Sequence, residues 1–288
     1  MSLRFSGHDT FHCKQQWLLK GSHFMNNKGY SAFNNPLEAI QELGVGKNMV
    51  SSLKYWLEAF YIVSNHNFTD FGKIIFGEDQ LDPYLEDEGT VWLLQYYICQ
   101  NGHASIFKII FSEFFSDKVS YEFTESKVIN YLNRIISERD LKAISENTLA
   151  TDFKVFIRSY VASSNESKTL EDDFNSPLLE LKLIDSIGGG NFSLNKTERN
   201  IPLHIFAYSV LDIAEKQNLT SVNFKTLQDT IGNYFCLSND SLEDHILKLK
   251  NISPLFVYNE DAGMANIQLK DNILQQKTKI LKRHYEEY

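Results

Sequence analysis

The sequence predicts a mostly α fold with small β-hairpins, an α+β class in which two winged helix-turn-helix-like modules flank a helical middle. Three observations predict it. Apolar residues recur at helical spacing through much of the 288-residue chain. A glycine-rich turn, Gly44-Val45-Gly46, separates two short amphipathic helices. Near the C-terminus, alternating segments at 255–258 and 267–269 indicate a β-hairpin that follows three helices.

The N-terminal module is predicted over residues 1–85. Pro36 after Asn35 is a typical helix start. The glycine turn breaks that helix, and a second one is expected over residues 47–60. Its apolar residues form one stripe, comprising Met49, Val50, Leu53, Trp56, Leu57 and Phe60. A short strand, a turn and a helix over residues 70–76 complete the pattern of a minimal winged helix.

Residues 86–190 are predicted as a helical middle domain. Helices are expected over 90–100, 104–115, 124–137 and 147–162, and an apolar segment leads into a hairpin around Gly188. Residues 191–288 are predicted to repeat the opening architecture. Helices over 203–217, 223–231 and 241–250 precede the 255–269 hairpin, and a last helix covers 271–285.

Composition limits the class of protein. The apolar share is 43% and the aromatic share 13%, enough for buried cores rather than disorder. No apolar run reaches the roughly 18–20 residues of a membrane span, and Cys13, Cys99 and Cys236 are isolated. We therefore expect a cytoplasmic protein. The net charge is −9, but residues 1–60 hold six Lys/Arg against four Asp/Glu, which makes this segment net positive.

Two polar surfaces are candidates for nucleic-acid contact. A recognition helix presents polar residues of its N-terminal part to bases and phosphates. The candidates on the second helix are Lys47, Asn48, Ser51, Ser52, Lys54 and Tyr55. A possible second patch on the last helix comprises Lys277, Lys279, Lys282 and Arg283. The alternatives are a solvated face in both places and, for the first helix, a face that docks another protein.

Three other motifs resemble ligand-binding sequences. The Gly44–Lys47 stretch lacks the first glycine and the hydroxyl residue of a nucleotide-binding loop. A cluster of possible metal ligands near the N-terminus, namely His8, Asp9, His12, Cys13 and His23, matches no standard spacing. An acidic run, namely Glu78, Asp79, Asp82, Glu86, Asp87 and Glu88, lacks the order of a calcium loop and is expected to be a solvated capping segment, with a basic partner as the alternative. We predict no metal site, no cofactor and no catalytic residue.

The chain also resembles a bacterial family of unknown function found beside phosphoadenosine-phosphosulfate-reductase-like genes in DNA phosphorothioation and phage-defence clusters. The most specific similarities are Phe5-Ser6-Gly7-His8-Asp9-Thr10-Phe11 and Asp82-Pro83-Tyr84-Leu85-Glu86-Asp87. Others include Leu43-Gly44-Val45-Gly46-Lys47-Asn48, Thr90-Val91-Trp92-Leu93-Leu94 and Asp152-Phe153-Lys154-Val155-Phe156. His12 and Cys13 depart from the family's usual pattern after the phenylalanine.

The resemblance implies a link to DNA without naming an activity. The function expected is that of a non-enzymatic, DNA-associated accessory protein of a DNA-modification or phage-defence system. Its partners would be double-stranded DNA, bound with moderate to weak affinity, and other proteins of the same operon. The alternative is a protein–protein adaptor that uses its winged helices and acidic surface to dock partners, and oligomerisation is possible.

Overall fold

Helices make up most of the chain, and the strands form three small antiparallel sheets. The mostly helical α+β class is therefore confirmed. The computed structural model describes residues 3–116, 120–162, 176–261, 264–270 and 272–286. The chain divides into two compact units, residues 1–195 and 196–288. No helix in the described ranges combines the length and apolar character needed to cross a membrane.

The N-terminal module of the first unit packs three helices on one another. They are α1 (Gln15–Lys28), α2 (Pro36–Leu43) and α3 (Lys47–Ala59), followed by β1 (Val63–Ser64), β2 (Asn67–Phe68) and α4 (Asp70–Phe76). α1 lies against α3 at Gly21, where a Cβ atom would fall 2.3 Å from Leu53 Cδ2. Only glycine permits this approach. Thr69 caps α4 by accepting a hydrogen bond from the Gly72 amide.

Helix α5 (Glu88–Asn101) forms the centre of the first unit. Every side chain from Gly89 to Cys99 is buried, so this helix has no solvent face. Its one buried amide, Gln95, accepts a 2.6 Å hydrogen bond from the Tyr160 hydroxyl. Asp87 caps the helix by accepting from the Thr90 amide.

The middle of the first unit contains a sheet as well as helices. Its elements are α6 (Ser105–Ile109), continued by a π-helical turn at Ile110–Phe114, then β3 (Glu122–Thr124), α7 (Glu125–Glu138), α8 (Glu146–Tyr160), β4 (Ile184–Gly188) and β5 (Asn191–Leu194). The strand order is β3-β5-β4. The hairpin was predicted, but β3 was not. Phe123 of β3 is fully buried and packs near Phe114 and Phe153.

The second unit repeats the order found in the middle of the first unit, namely a helix, a strand, two helices and a hairpin, and adds a final helix. It contains α9 (Leu203–Gln217), β6 (Ser221–Asn223), α10 (Phe224–Leu227) with a π-helical turn at Gln228–Gly232, α11 (Asn239–Lys248), β7 (Phe256–Asp261), β8 (Met264–Leu269) and α12 (Lys277–Glu286). Its sheet has the order β6-β8-β7. In both sheets the short first strand pairs with the last strand of the hairpin.

The unit boundary differs from the predicted domain boundaries. Strand β5 is the central strand of the middle sheet, so a division between residues 190 and 191 would cut that sheet. The second unit begins at Lys196. The predicted N-terminal and middle domains, divided between residues 85 and 86, lie within one compact unit.

Candidate nucleic-acid interface

The glycine turn links α2 to α3 in the open. Gly44 ends α2 in the left-handed conformation with φ of +66°, which glycine adopts without strain. Gly46 precedes α3 in extended conformation. A Cβ atom at either glycine would meet nothing within 4 Å. The turn therefore connects helix to helix and leaves the start of α3 accessible, in agreement with the rejection of a nucleotide-binding loop.

The solvent face of α3 holds four of the six predicted contact residues. Lys47, Asn48 and Ser51 are exposed, and Lys54 is half-buried. The Lys54 ammonium lies 3.1 Å from Asn34 Oδ1 and 4.7 Å from the centre of the Tyr30 ring. Lys54 is therefore held by its neighbours on one side, while Lys47 extends freely from the first turn.

The other two predicted contact residues point inward. Ser52 is fully buried and Tyr55 is 3% exposed, because both lie on the face of α3 that packs into the module. The Tyr55 ring lies edge-on to the rings of His8 and Trp56. Burial raises the pKa of the Tyr55 phenol. We correct the proposed contact surface by leaving Ser52 and Tyr55 out of it.

The motif at residues 5–11 lies in a segment that we call the N-terminal strap, residues 4–11. The Ser6 amide donates to both carboxylate oxygens of Asp152 on α8, at 3.0 and 3.1 Å. His8 Nε2 lies 3.1 Å from the same carboxylate. The Trp56 indole donates to the Phe11 carbonyl at 3.1 Å. The strap thus joins α3 to α8, which gives the motif a structural role.

The candidate metal ligands near the N-terminus lie in different environments. His8 is buried and paired with Asp152, whereas Asp9 and His23 are exposed. Burial raises the pKa of Cys13 well above its usual value, which keeps the thiol neutral. Across the described ranges, no three His, Cys, Asp or Glu side chains are grouped as metal ligands.

The acidic run has structural roles in part of its length. The carboxylate of Asp82, 6% exposed, accepts hydrogen bonds from the amides of Glu86 and Asp87 at 2.8 and 3.1 Å. It closes the turn that leads into α5. Burial is the main cause that raises the pKa of Asp82, and the hydrogen bonds that it accepts oppose this. The second specific motif is therefore a turn whose side-chain acceptor is Asp82.

Helix α8 presents a polar stripe that the sequence analysis missed. Asn147, Thr151, Lys154 and Arg158 follow one another at spacings of four, three and four residues. Lys154 and Asn147 are exposed. The Arg158 guanidinium donates to the Thr10 carbonyl of the strap, which leaves Lys154 as the free cation of this stripe. The helical spacing of these polar residues was the available signal.

Helix α11 of the second unit carries more exposed acidic residues than α3 and α8. Its exposed residues include Asp240, Glu243 and Asp244, and the Lys248 ammonium is paired with Asp244. Such a face repels phosphate. The exposed faces of α3 and α8 are therefore basic, whereas that of α11 is acidic.

One residue of the patch predicted on α12 forms ion pairs within the protein. The Lys277 ammonium lies 3.2 Å from Asp212 Oδ1 and also pairs with Glu215, both on α9. Burial lowers the pKa of Lys277, but the two carboxylates raise it by more, so the net shift is upward. Lys279 and Arg283 are exposed and Lys282 is half-buried. We correct the second patch by assigning Lys277 to the packing of α12 on α9.

Residues 5–285 match the family described as a protein of unknown function, DUF4007. The chain belongs to this family. Two solved structures share its fold, the SspB crystal structure with a TM-score of 0.84 and the magnesium ion-bound SspB crystal structure with a TM-score of 0.85. Each is 22% identical and covers 99% of this chain and 88% of its own. No curated protein matches.

Proposed function

We propose that this DUF4007 protein is a non-enzymatic, DNA-associated accessory protein that binds duplex DNA through the exposed face of α3. The observation that supports the proposal most directly is the accessible, polar and basic start of that helix. Lys47, Asn48 and Ser51 are exposed there, and the turn before them is open. Lysine and amide side chains at the start of a recognition helix are suited to phosphates and base edges.

The order of elements supports an interpretation of the modules as winged helices. In the middle of the first unit and in the second unit, a helix, a short strand, two helices and a hairpin follow one another. The first strand pairs with the last in each case. By this interpretation α3, α8 and α11 occupy the recognition-helix position. Lys154 and Asn147 of α8 then give the first unit a second polar surface for a duplex.

Charge sets the expected strength of binding. The chain has a net charge of −9, and its first 60 residues are net positive by two charges. Few phosphates can be neutralised by so few lysines, so we expect modest affinity that falls with salt. Proteins of a DNA-modification or phage-defence system, to which the family resemblance connects this chain, would supply the remaining contacts in the cytoplasm.

No metal-dependent step is assigned to this chain. One of the two SspB structures is described as magnesium ion-bound. In the described part of this protein, no three His, Cys, Asp or Glu side chains are grouped as ligands for a metal ion. The proposed role rests on binding alone.

Fluorescence anisotropy with labelled duplexes tests the proposal. The full chain is titrated against a plain and a phosphorothioated duplex of the same sequence at several salt concentrations. We expect saturable binding. The logarithm of the association constant should fall linearly as the logarithm of the salt concentration rises. Absence of binding at micromolar protein, or binding that does not depend on salt, would overturn it.

The acidic face of α11 favours the adaptor as a second candidate. Co-purification with the products of neighbouring genes that survives nuclease treatment would support it. A monomeric chain that binds DNA and retains no protein partner would contradict it.

A further inference from the structure

We propose that a cleft in the second unit, between α10, α11 and the inner face of the β7–β8 hairpin, binds a lysine or arginine side chain from a basic segment of a partner protein. This inference does not depend on DNA binding by the first unit. The cleft has a volume of about 560 Å³. The side chains that matter for its chemistry are Phe224, Lys225, Asp229, Glu243, Tyr258 and Glu260.

The β7–β8 hairpin forms one wall of the cleft, because the face that packs on the core near Phe256 extends beyond the core. Alternation along β7 puts Phe256, Tyr258 and Glu260 on the same face. Phe256 pairs with Leu269 across the hairpin, and both are buried. Further along, Tyr258 is half-buried and Glu260 is exposed. The face that is covered by the core near Phe256 is thus open near Glu260.

The opposite wall is built from α10 and α11. Asn223 fixes the start of α10 by accepting a 2.7 Å hydrogen bond from the Thr226 amide. The half-buried ring of Phe224 follows directly. Gln228 and Asn239 are joined by a 2.7 Å hydrogen bond, which ties the region after α10 to the start of α11. The cleft therefore exists before any partner arrives.

The charges in the cleft favour a cation. Asp229 is paired with Lys225 at 2.8 Å. Glu243 and Glu260 have no ion pair among the described residues, so two carboxylates remain for a ligand. Partial desolvation, then Glu260 and Glu243, raise the pKa of Tyr258. Both carboxylates line the same cleft as Tyr258. An ammonium or guanidinium group would meet both.

The rings suit the rest of such a side chain. The methylenes of lysine and arginine pack well on aromatic surface, and their cationic heads are attracted to ring faces. Phe224 and Tyr258 supply the rings beside the two carboxylates. Outside the cleft, Asp240 extends the negative charge along α11, and Leu247 is 44% exposed. These features fit a basic protein segment with an apolar residue and repel the phosphates of DNA.

The test uses the full chain and a fluorescein-labelled, lysine- and arginine-rich peptide that contains one leucine. The double variant Glu243→Gln/Glu260→Gln removes the two available carboxylates. The control variant Glu198→Gln/Glu286→Gln removes two exposed carboxylates of the same unit and changes the net charge equally. We expect binding to weaken about tenfold in the first variant and to stay within about twofold of wild type in the control.

A third variant, Tyr258→Leu, removes a ring and leaves both carboxylates; it is expected to weaken binding severalfold. Equal loss in the two double variants would show attraction by net charge alone and would overturn the proposal, as would no binding by folded wild-type protein. A duplex oligonucleotide is titrated in parallel. If Glu243→Gln/Glu260→Gln weakened binding of the duplex, the cleft would belong to a nucleic-acid site and the proposal would be wrong.

Discussion

His8 Nε2 lies 3.1 Å from Asp152 Oδ1, although 144 residues separate the two in sequence. Both side chains are buried, and the same carboxylate accepts two contacts from the Ser6 amide. One carboxylate on α8 therefore holds the middle of the N-terminal strap, at Ser6 and His8. This relationship makes Asp152 a structural residue of the first unit, and it predicts a large effect of its removal.

We expect Asp152→Ala to lower the free energy of unfolding by about 3 kcal/mol, since it leaves the buried His8 side chain and the Ser6 amide without their acceptor. Chemical denaturation of the full chain measures this. Asp185→Asn, at an exposed carboxylate of the same unit, is the control and should change nothing measurable. Similar stabilities of Asp152→Ala and wild type would contradict a clamping role for the strap.

His103 predicts a pH dependence of stability. Its Nδ1 lies 3.2 Å from an Arg4 nitrogen, and its Nε2 lies 3.4 Å from Glu58. Burial, together with Arg4, lowers the pKa of His103 from 6.5 to about 4, although Glu58 opposes this. A folded-state pKa below the unfolded value gives stability that is present above pH 6.5 and is lost as pH falls towards about 4.

The loss attributable to His103 is roughly 2 to 3 kcal/mol across that window. The variant His103→Gln keeps an acceptor for Arg4 and cannot be protonated, so its unfolding free energy should fall less between these pH values. His23→Gln, at an exposed histidine of α1, should retain the wild-type profile. Parallel profiles for wild type and His103→Gln would show that His103 is not the titrating group.

Lys277 and Lys279 lie on the same helix, and we expect their substitution to affect stability differently. The Lys277 side chain is 14% exposed and faces Asp212, of which only 3% is exposed. Lys277→Met should lower the stability of the second unit by about 1 to 2 kcal/mol, because the buried Asp212 then loses one of its ion-pair partners. Lys279→Met, at an exposed position, should have no effect on thermal unfolding. Equal melting temperatures of both variants and wild type would refute the structural assignment.

Local sequence patterns predict the helices. Which polar residues are buried, and which distant residues pair, depends on tertiary contacts that these patterns do not show. The predicted apolar stripe of α3 is correct, but the polarity of Ser52 and Tyr55 wrongly predicts that they lie on the surface. Ser52 lies one turn before the buried Trp56, which was a signal against that choice. The pairing of His8 with Asp152 has no local signal, since it joins residues that only the folded chain brings together.

The missed strands have a physical cause. β3 and β6 have three residues each, too few for alternation to be visible. Each consists of a polar residue, a buried apolar residue and a helix cap, with Phe123 before Thr124 and Val222 before Asn223. Their strand conformation comes from pairing with the last strand of a distant hairpin. A cap preceded by a single large apolar residue is the signal that would have found both.

Lys47 gives the sharpest test of the proposed DNA surface. It is exposed in the first turn of α3, where the helix N-terminus adds positive potential. If Lys47 contacts one phosphate, Lys47→Gln should weaken duplex binding and lower the salt slope by about 0.9. Lys20→Gln removes the same charge from an exposed position on α1 and should leave the slope unchanged. Identical slopes for the two variants would move the DNA contact away from α3, and a lower slope for Lys47→Gln alone would locate it there.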